Sequence, residues 1–275
     1  MRRSRLSSRL LGRGLTYLVA VLIALWILIP IYLITVAAFS PSDVIYGWPK
    51  SLLPKTISLE TLLFFINAQY VLPSLWNSVK VALLTLIISL VVGAPAGYAL
   101  ARHIFPGKDI YRIALLSTRA FPVVILSIPL AVTFIKWDLY DTLIAVALLH
   151  AAMALPTTIL VTSSIFIGVS RELEEAAMIF GCNRVQAFIR VALPLALPGL
   201  AASAIFTFVL SWNEVFAATI LTLQNRTLPA RMFVQLAASP VPFRFAGGFF
   251  LLVPALLFMF FIRRYLFSLW GITLK

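Results

Sequence analysis

The chain has 275 residues, of which 62% are hydrophobic and only 11% are charged, and its formal net charge is +13. Soluble domains carry about 25% charged and about 45–50% apolar residues, so this composition excludes an ordinary soluble globular protein. We interpret the excess of positive charge as basic loops of a membrane protein rather than as a surface for nucleic acid. We therefore expect the lipid bilayer among its partners, and no nucleic acid.

Charged residues divide the chain into six stretches, each long enough to cross about 30 Å of hydrocarbon as a helix. The third stretch contains one charge, Arg119. Runs such as "VALLTLIISLVVGAPAGYAL" lack the alternation of barrel strands. The sequence therefore predicts an all-α, polytopic membrane protein with six transmembrane helices, over residues 15–39, 80–102, 112–136, 142–167, 194–220 and 245–262.

The N-terminal stretch "MRRSRLSSRLLGRG" resembles the basic region of a signal peptide, and "TVAAFS" offers small residues for cleavage. However, the apolar stretch that lies between them is longer than the 7–15 residues typical of a signal sequence. We predict a retained first helix. The expected organisation is a cytoplasmic basic segment at 1–14, a transmembrane domain at 15–267 and a cytoplasmic tail at 268–275.

The distribution of Lys and Arg predicts the orientation in the membrane. Fourteen of them fall in the terminal and loop segments on the side of the N-terminus. Seven fall on the opposite side, namely Lys50, Lys55, Lys80, Lys136, Arg226, Arg231 and Arg244. Because basic loops stay in the cytoplasm, both termini are predicted to be cytoplasmic.

The loops and prolines add detail to this prediction. The first external loop, 40–75, contains a possible short helix at "LETLLFFIN". The turn "KWDLYD" is short, which makes the third and fourth helices antiparallel neighbours. Prolines that interrupt helices two to five are tolerated in membranes and permit bends beside a cavity. These are Pro95, Pro122, Pro156 and Pro198.

The apolar sequence is interrupted at residues 172–199 by the polar segment "ELEEAAMIFGCNRVQAFIRVALPLALPG". This segment lies in the longest of the predicted internal cytoplasmic loops. Ser170 is a candidate N-cap, and the carboxylates that follow suit the positive end of a helix dipole. Gly181 can adopt the left-handed conformation that ends such a helix. A second short helix is predicted from Asn183 to Val191, stopped by Pro194, with Val185, Phe188 and Ile189 on one face.

This helix–turn–helix resembles the coupling loop of ABC importer permeases, whose motif is Glu-Ala-Ala, a glycine after three further residues, and Ile-x-Leu-Pro after nine more. The matching positions are Glu175, Ala176, Ala177, Gly181, Val191, Leu193 and Pro194, with valine in place of isoleucine. The sequence departs from the pattern at Phe180, where aspartate is common, and at Cys182, where alanine is common.

The resemblance extends to the second, six-helix permease of maltose-type carbohydrate importers, through "NSVKVALLTLIISLVVGAPAGYALARHIFPGK", "FVLSWNEVFAATILT" and "FFIRRYLFSLWGITLK". The ending "GITLK" only approximates that of the family. The family implies the type I importer fold and import of a sugar or sugar-like solute. Its implied partners are a second permease in a heterodimer, two ATPase subunits and an extracytoplasmic solute-binding protein.

The resemblance also implies which residues of this chain couple it to the ATPases. Loop 170–194 would contact the ATPases through Glu174, Glu175, Ala176, Ala177, Gly181, Phe188, Val191, Leu193 and Pro194. This chain lacks a Gly-x-x-x-x-Gly-Lys motif, so we expect it to be a non-catalytic subunit without a cofactor. ATP and Mg would be bound by the partner ATPases. No catalytic residue is predicted.

Several residues leave alternatives open. Glu214, with Asn213 and Ser211, would line the translocation path or form a helix–helix hydrogen bond. Arg119 would reach the inner headgroups or line an aqueous cavity. The two histidines, His103 and His150, lie far apart without a ligand pattern, so no metal site is predicted.

Two other functions remain as alternatives to sugar import. An ion-driven secondary transporter would require paired intramembrane carboxylates and an inverted repeat, and neither is visible. A polyol, glycerol phosphate or another small solute in place of sugar would be compatible with the same sequence.

Overall fold

The computed structural model describes residues 2–48, 53, 56–235 and 238–269, with side chains described only between residues 13 and 262. The predicted tail at 268–275 lies almost entirely outside the described residues, as do Lys50 and Lys55. Within the described part of the chain every regular element is helical. The all-α prediction is therefore confirmed.

The chain forms two compact units, and the first contains residues 1–68 and 238–250. Its helices are α1 (Arg2–Ala38), α2 (Ser42–Tyr46), α3 (Glu60–Asn67) and the first part of α13 (Val241–Leu269). The short helix predicted in the first external loop is thus confirmed as α3. Phe65 of α3 is fully buried and stacks on Phe250 at 5.3 Å between ring centroids.

The first helix presents an apolar surface along its membrane-spanning part, Arg13–Ala38. Side chains such as Leu22 and Trp26 are 57% and 82% exposed. An apolar face of this size is stable against lipid or a partner helix and not against water.

The second unit contains residues 69–237 and 251–275. Its helices are α4 (Val71–Arg102), α5 (Lys108–Thr118), α6 (Val123–Lys136), α7 (Leu143–Gly168), α8 (Arg171–Ile179), α9 (Arg184–Ala187), α10 (Leu193–Asn213), α11 (Phe216–Leu221) and α12 (Leu228–Gln235), followed by the rest of α13. A π-helical turn, Phe188–Ala192, joins α9 to α10.

Helices α4 and α7 pack closely because α4 carries small residues on the facing side. A methyl group added at Gly97 would lie 2.8 Å from the Ser163 backbone nitrogen. The Thr162 hydroxyl donates to the Gly93 carbonyl at 3.1 Å. Gly93 and Gly97 are four residues apart, the spacing that lets membrane helices approach closely.

The predicted third span is wrong as a continuous helix. It is divided into α5 and α6, which are bent by 87° relative to each other. Pro122 explains the break, because it cannot donate a backbone hydrogen bond and it disfavours helical geometry at the preceding Phe121. Five described helical segments are long and apolar enough to span a membrane, and the bent pair would make a sixth.

The other predicted spans correspond to helices. The fourth begins at the predicted place, where the Thr142 hydroxyl accepts a hydrogen bond from the Ala145 amide at 3.2 Å. The fifth ends earlier than predicted, since Glu214 has an extended backbone with ψ of 129° and separates α10 from α11. Pro95, Pro156 and Pro198 lie inside helices, whereas Pro122 precedes α6.

The loop after α11 is held by one carboxylate. The Asp141 side chain accepts hydrogen bonds from the backbone amides of Leu223, Gln224 and Asn225 at 2.9–3.1 Å. The Asn225 side-chain amide in turn donates to the Asp141 carbonyl at 2.8 Å. This network fixes the loop to the turn between α6 and α7.

Candidate functional site

The loop between α7 and α10, predicted to be cytoplasmic, forms the predicted helix–turn–helix. Ser170 precedes α8 in an extended conformation, although its side chain makes no capping hydrogen bond. At the other end, the Gly181 amide donates to the Met178 carbonyl at 3.1 Å and the Cys182 amide donates to the Ala177 carbonyl at 3.0 Å. These two bonds form a Schellman motif, which requires a left-handed residue. Gly181 has φ of +94°, as predicted.

The second helix begins with a capping box. The Gln186 amide donates to Asn183 Oδ1 at 2.8 Å, and the Asn183 amide donates to Gln186 Oε1 at 2.9 Å. Both orphan amides at this helix start are therefore satisfied. The turn around Gly181 is thus fixed by backbone–backbone hydrogen bonds on one side and by backbone–side-chain hydrogen bonds on the other.

The predicted stop at Pro194 is wrong. The helix continues from α9 through the π-helical turn into α10, where Pro194 lies in the first turn. In the π-helical turn the Leu193 amide donates to the Phe188 carbonyl, five residues back. Pro194 has no amide hydrogen to donate within this helix, and a π-turn is a known way to change the hydrogen-bonding pattern without ending a helix. The short helix α9 and the membrane helix α10 are consequently one continuous element.

The tip of the loop exposes apolar side chains. Ile179 and Phe180 are 84% and 89% exposed, and Val185 and Ile189 on the second helix are 65% and 53% exposed. Large apolar side chains clustered on an exposed loop are typical of a protein contact. Val185 and Ile189 were predicted on this face from their spacing, whereas Phe180 stood out only as a departure from the motif.

The predicted contact residues do not all face outwards. Glu175, Ala176, Gly181 and Pro194 are exposed, while Ala177, Val191 and Leu193 are half-buried. Two others point into the protein. Glu174 is only 4% exposed, and the half-buried Phe188 packs on Tyr98 at 4.6 Å between ring centroids. The inward positions of Glu174 and Phe188 do not support the prediction that these two residues contact the ATPases.

A second group of polar residues lies where α10 ends. The Glu214 carboxylate accepts hydrogen bonds from the amides of Ala217 and Ala218 at 3.0 and 3.1 Å, and lies 3.1 Å from His150 Nε2. The His150 Nδ1 atom lies 2.9 Å from the hydroxyl of Ser211. His150 is fully buried, and Ser211 and Glu214 are 4% and 8% exposed.

This network favours one of the two alternatives left open for Glu214. Its carboxylate starts α11 and joins α10 to α7, which is a structural role. Asn213, by contrast, is exposed. Sequence reasoning missed the pairing with His150 because the two residues are 64 positions apart.

A third feature is a cavity of about 250 Å³ between α7 and α10. Hydroxyl groups line it at Thr157, Thr158, Ser203 and Thr207, and Arg119 contributes a guanidinium group. The Thr158 and Thr207 hydroxyls are 3.1 Å apart. Of the two roles left open for Arg119, its position on a hydroxyl-lined cavity favours the cavity role.

The described residues contain no cluster of three or more His, Cys, Asp or Glu side chains that could hold a metal ion. His103 lies on the turn after α4, whereas His150 lies in the buried network with Ser211 and Glu214.

The helical fold, with several helices long and apolar enough to cross a membrane, defines the class of this protein: a polytopic membrane permease subunit. Residues 44–269 match the family described as binding-protein-dependent transport system inner membrane component, and the chain belongs to that family.

Curated relatives cover most of the chain. It is 30% identical to the diacetylchitobiose uptake system permease protein DasC of Streptomyces coelicolor, over 80% of each chain. It is also 30% identical to the trehalose transport system permease protein SugB of Mycobacterium tuberculosis, over 86% of this chain and 88% of that one.

Solved structures share the fold. A chain of a bacterial ABC transporter involved in alginate import superposes with a TM-score of 0.74 at 21% identity, covering 94% of this chain and 97% of that chain. A chain of the MetNI methionine transporter superposes with a TM-score of 0.60 at 19% identity, covering 74% and 96%. The predicted importer permease fold is therefore confirmed.

Proposed function

We propose that this chain is one permease subunit of an ATP-driven importer for a sugar or sugar-like solute. Its relatives include permease proteins named for uptake of diacetylchitobiose, trehalose and arabinooligosaccharides. The full transporter would contain a second, different permease, two ATPase subunits that bind ATP and Mg, and an extracytoplasmic solute-binding protein. This chain itself would be non-catalytic and carry no cofactor.

The observation that carries this proposal is the exposed tip of loop 170–194. Ile179 and Phe180 project from a turn held by the Schellman bonds on one side and the capping box on the other. A rigid turn with an apolar tip can dock into a groove and move with it as one body. The continuous helix from α9 through α10 would then carry that movement into the membrane.

The translocation path is proposed to run along the exposed side of α7 and α10. Asn213 and the cavity beside Arg119 are the candidates for solute contact, because amide, hydroxyl and guanidinium groups all form hydrogen bonds with sugar hydroxyls. An arginine on a cavity that threonine and serine residues also line supports an aqueous path, since lipid exposure of that charge is costly.

We further propose that both termini are cytoplasmic in the plasma membrane of a prokaryote. The distribution of Lys and Arg supports this orientation. The ion-driven alternative has lost its support, because the family is a binding-protein-dependent one. Import of a polyol or glycerol phosphate by the same machinery remains the second candidate.

Reconstitution tests this function. The complete transporter in liposomes should hydrolyse ATP faster when the solute-loaded binding protein is added and should accumulate solute. The solute can be found by the thermal stabilisation of the binding protein against a panel of sugars and polyols. The isolated chain should neither hydrolyse ATP nor accumulate solute. Uptake by the isolated chain, or by a transporter without the ATPase subunits, would contradict the proposal.

A further inference from the structure

Two neighbouring glutamates in the coupling loop have opposite environments. The Glu175 side chain is 55% exposed and pairs with Arg171 at 3.1 Å on the surface of α8. The Glu174 side chain is 5% exposed and lies between α8 and α4. A contact with a partner protein is open to Glu175, whereas Glu174 is already fully engaged inside this chain.

Glu174 is held by two residues at the cytoplasmic end of α4. Arg102 Nε donates to Glu174 Oε1 at 2.8 Å, and the Tyr98 hydroxyl donates to the other carboxylate oxygen. Arg102 also donates to the carbonyl of Val169, at the end of α7, at 2.8 Å. A single guanidinium group therefore joins α4, α7 and α8.

Aromatic packing surrounds this ion pair. The Tyr98 ring lies 5.4 Å from Phe166 of α7 and 4.6 Å from Phe188 of the π-helical turn, measured between centroids. Phe166 is fully buried. Charge-assisted hydrogen bonds in such a shielded place are strong and directional, so the contact has little freedom to slip.

We infer that Tyr98, Arg102 and Glu174 form an anchor that passes movement of the coupling loop directly to α4 and α7, and that Glu174 is a positioning residue rather than an ATPase contact. The inference rests on the proposed function of the loop. Without the anchor, α8 would lose its ion pair with α4, and it could rotate while the membrane helices stayed in place.

The test uses two matched single variants in the complete transporter. Glu174→Gln keeps the size of the side chain but removes the charge from the anchor. It should leave the ATPase subunits bound during purification, yet lower solute uptake and stimulation by loaded binding protein by about tenfold, as expected for loss of a charged buried hydrogen bond. For Glu175→Gln we expect the opposite: the variant should retain the ATPase subunits less well, and this loss should be larger than any direct loss of coupling.

A double-mutant cycle shows whether Arg102 acts through Glu174. Arg102→Lys loses the forked geometry and should also reduce coupling. If the two residues work as one contact, the double variant should be reduced no further than the stronger single variant. Tyr98→Phe, which keeps the ring and removes one hydrogen bond, supplies a milder variant should the charged ones assemble poorly.

The outcomes separate this inference from the function it rests on. Loss of ATPase subunits from the Glu174→Gln transporter, at the level seen for Glu175→Gln, would make Glu174 an interface residue and overturn the anchor. Normal coupling in Glu174→Gln, or fully additive losses in the double variant, would also overturn it. If neither glutamate variant nor changes at Phe180 affect retention or coupling, the proposed function of the loop itself fails.

Discussion

Substitution of Gly181 tests the loop most sharply, because the structure separates backbone strain from bulk at this position. The residue has φ of +94°, and a methyl group placed on it would have no neighbour within 4 Å. A larger side chain therefore meets no steric obstacle within this chain. The cost of replacement comes from the backbone alone.

The size of this cost can be estimated. A left-handed conformation costs an L-residue about 1–2 kcal/mol, whereas asparagine adopts it with less strain and β-branched residues with more. One to two kcal/mol is about a 5- to 30-fold change in the fraction of loops that keep the turn. The predicted order of coupling is therefore Gly, then Asn, then Ala, then Val.

The assay is ATP hydrolysis stimulated by loaded binding protein in the complete transporter, with ATPase retention measured on the same samples. Gly181→Asn should keep most of the stimulation and Gly181→Val should lose most of it. If activity followed side-chain size, so that Asn fell well below Ala, the strain argument would be refuted. Equal activity in all four proteins would show that the turn does not matter.

Three further predictions follow from other parts of the structure. Glu214→Ala leaves His150 Nε2 buried without its carboxylate partner, which should cost about 3 kcal/mol and lower the thermal midpoint of the complex in detergent by roughly 6–12 °C. An unchanged midpoint would contradict the structural role. Arg119→Ala should reduce uptake about tenfold through loss of a charged hydrogen bond, while Arg112→Ala on the same helix should not, and equal uptake by the two would remove Arg119 from the path. In a Cys182→Ser background, a cysteine at Glu172 should react with a membrane-impermeant thiol reagent only after permeabilisation, whereas one at Leu59 should react in intact cells; the reverse pattern would invert the topology.

The parts of the fold that sequence predicted are those fixed by local chemistry. Gly181 ends α8 because a left-handed glycine after a helix acts over a few residues. The start of α7 at residue 142 was predicted from the flanking charges, and the Thr142 hydroxyl caps the helix there. The apolar spans were found in the same way, since bilayer thickness sets their length.

The predictions of a continuous third span and of a helix stop at Pro194 were wrong because the effect of a proline depends on its surroundings. Pro122 breaks the third span by 87°, whereas Pro194, expected to stop a helix, lies within a continuous one. Pro194 is accommodated by the π-helical turn, whose five-residue hydrogen bond no short sequence pattern announces. Proline indicates where the hydrogen-bonding pattern changes, but not whether the helix axis bends.

Long-range polar pairs could not be predicted from the sequence. Arg102 and Glu174 are 72 positions apart, and His150 and Glu214 are 64 apart. Each of these residues taken alone fits a surface or path role equally well. Only packing shows that Glu174 faces inwards while Glu175, its neighbour, faces outwards.

The central claim is that the exposed tip of the cytoplasmic loop docks onto an ATPase subunit, and site-specific photocrosslinking measures this directly. A photoreactive phenylalanine analogue placed at Phe180, which is 89% exposed, should form an adduct with the ATPase subunit in the assembled transporter. The same analogue at Trp76, 62% exposed at the opposite end of α4 from Arg102, is the matched control and should not. An ATPase adduct at Trp76, or none at Phe180 in a transporter that retains its ATPase subunits, would contradict the account.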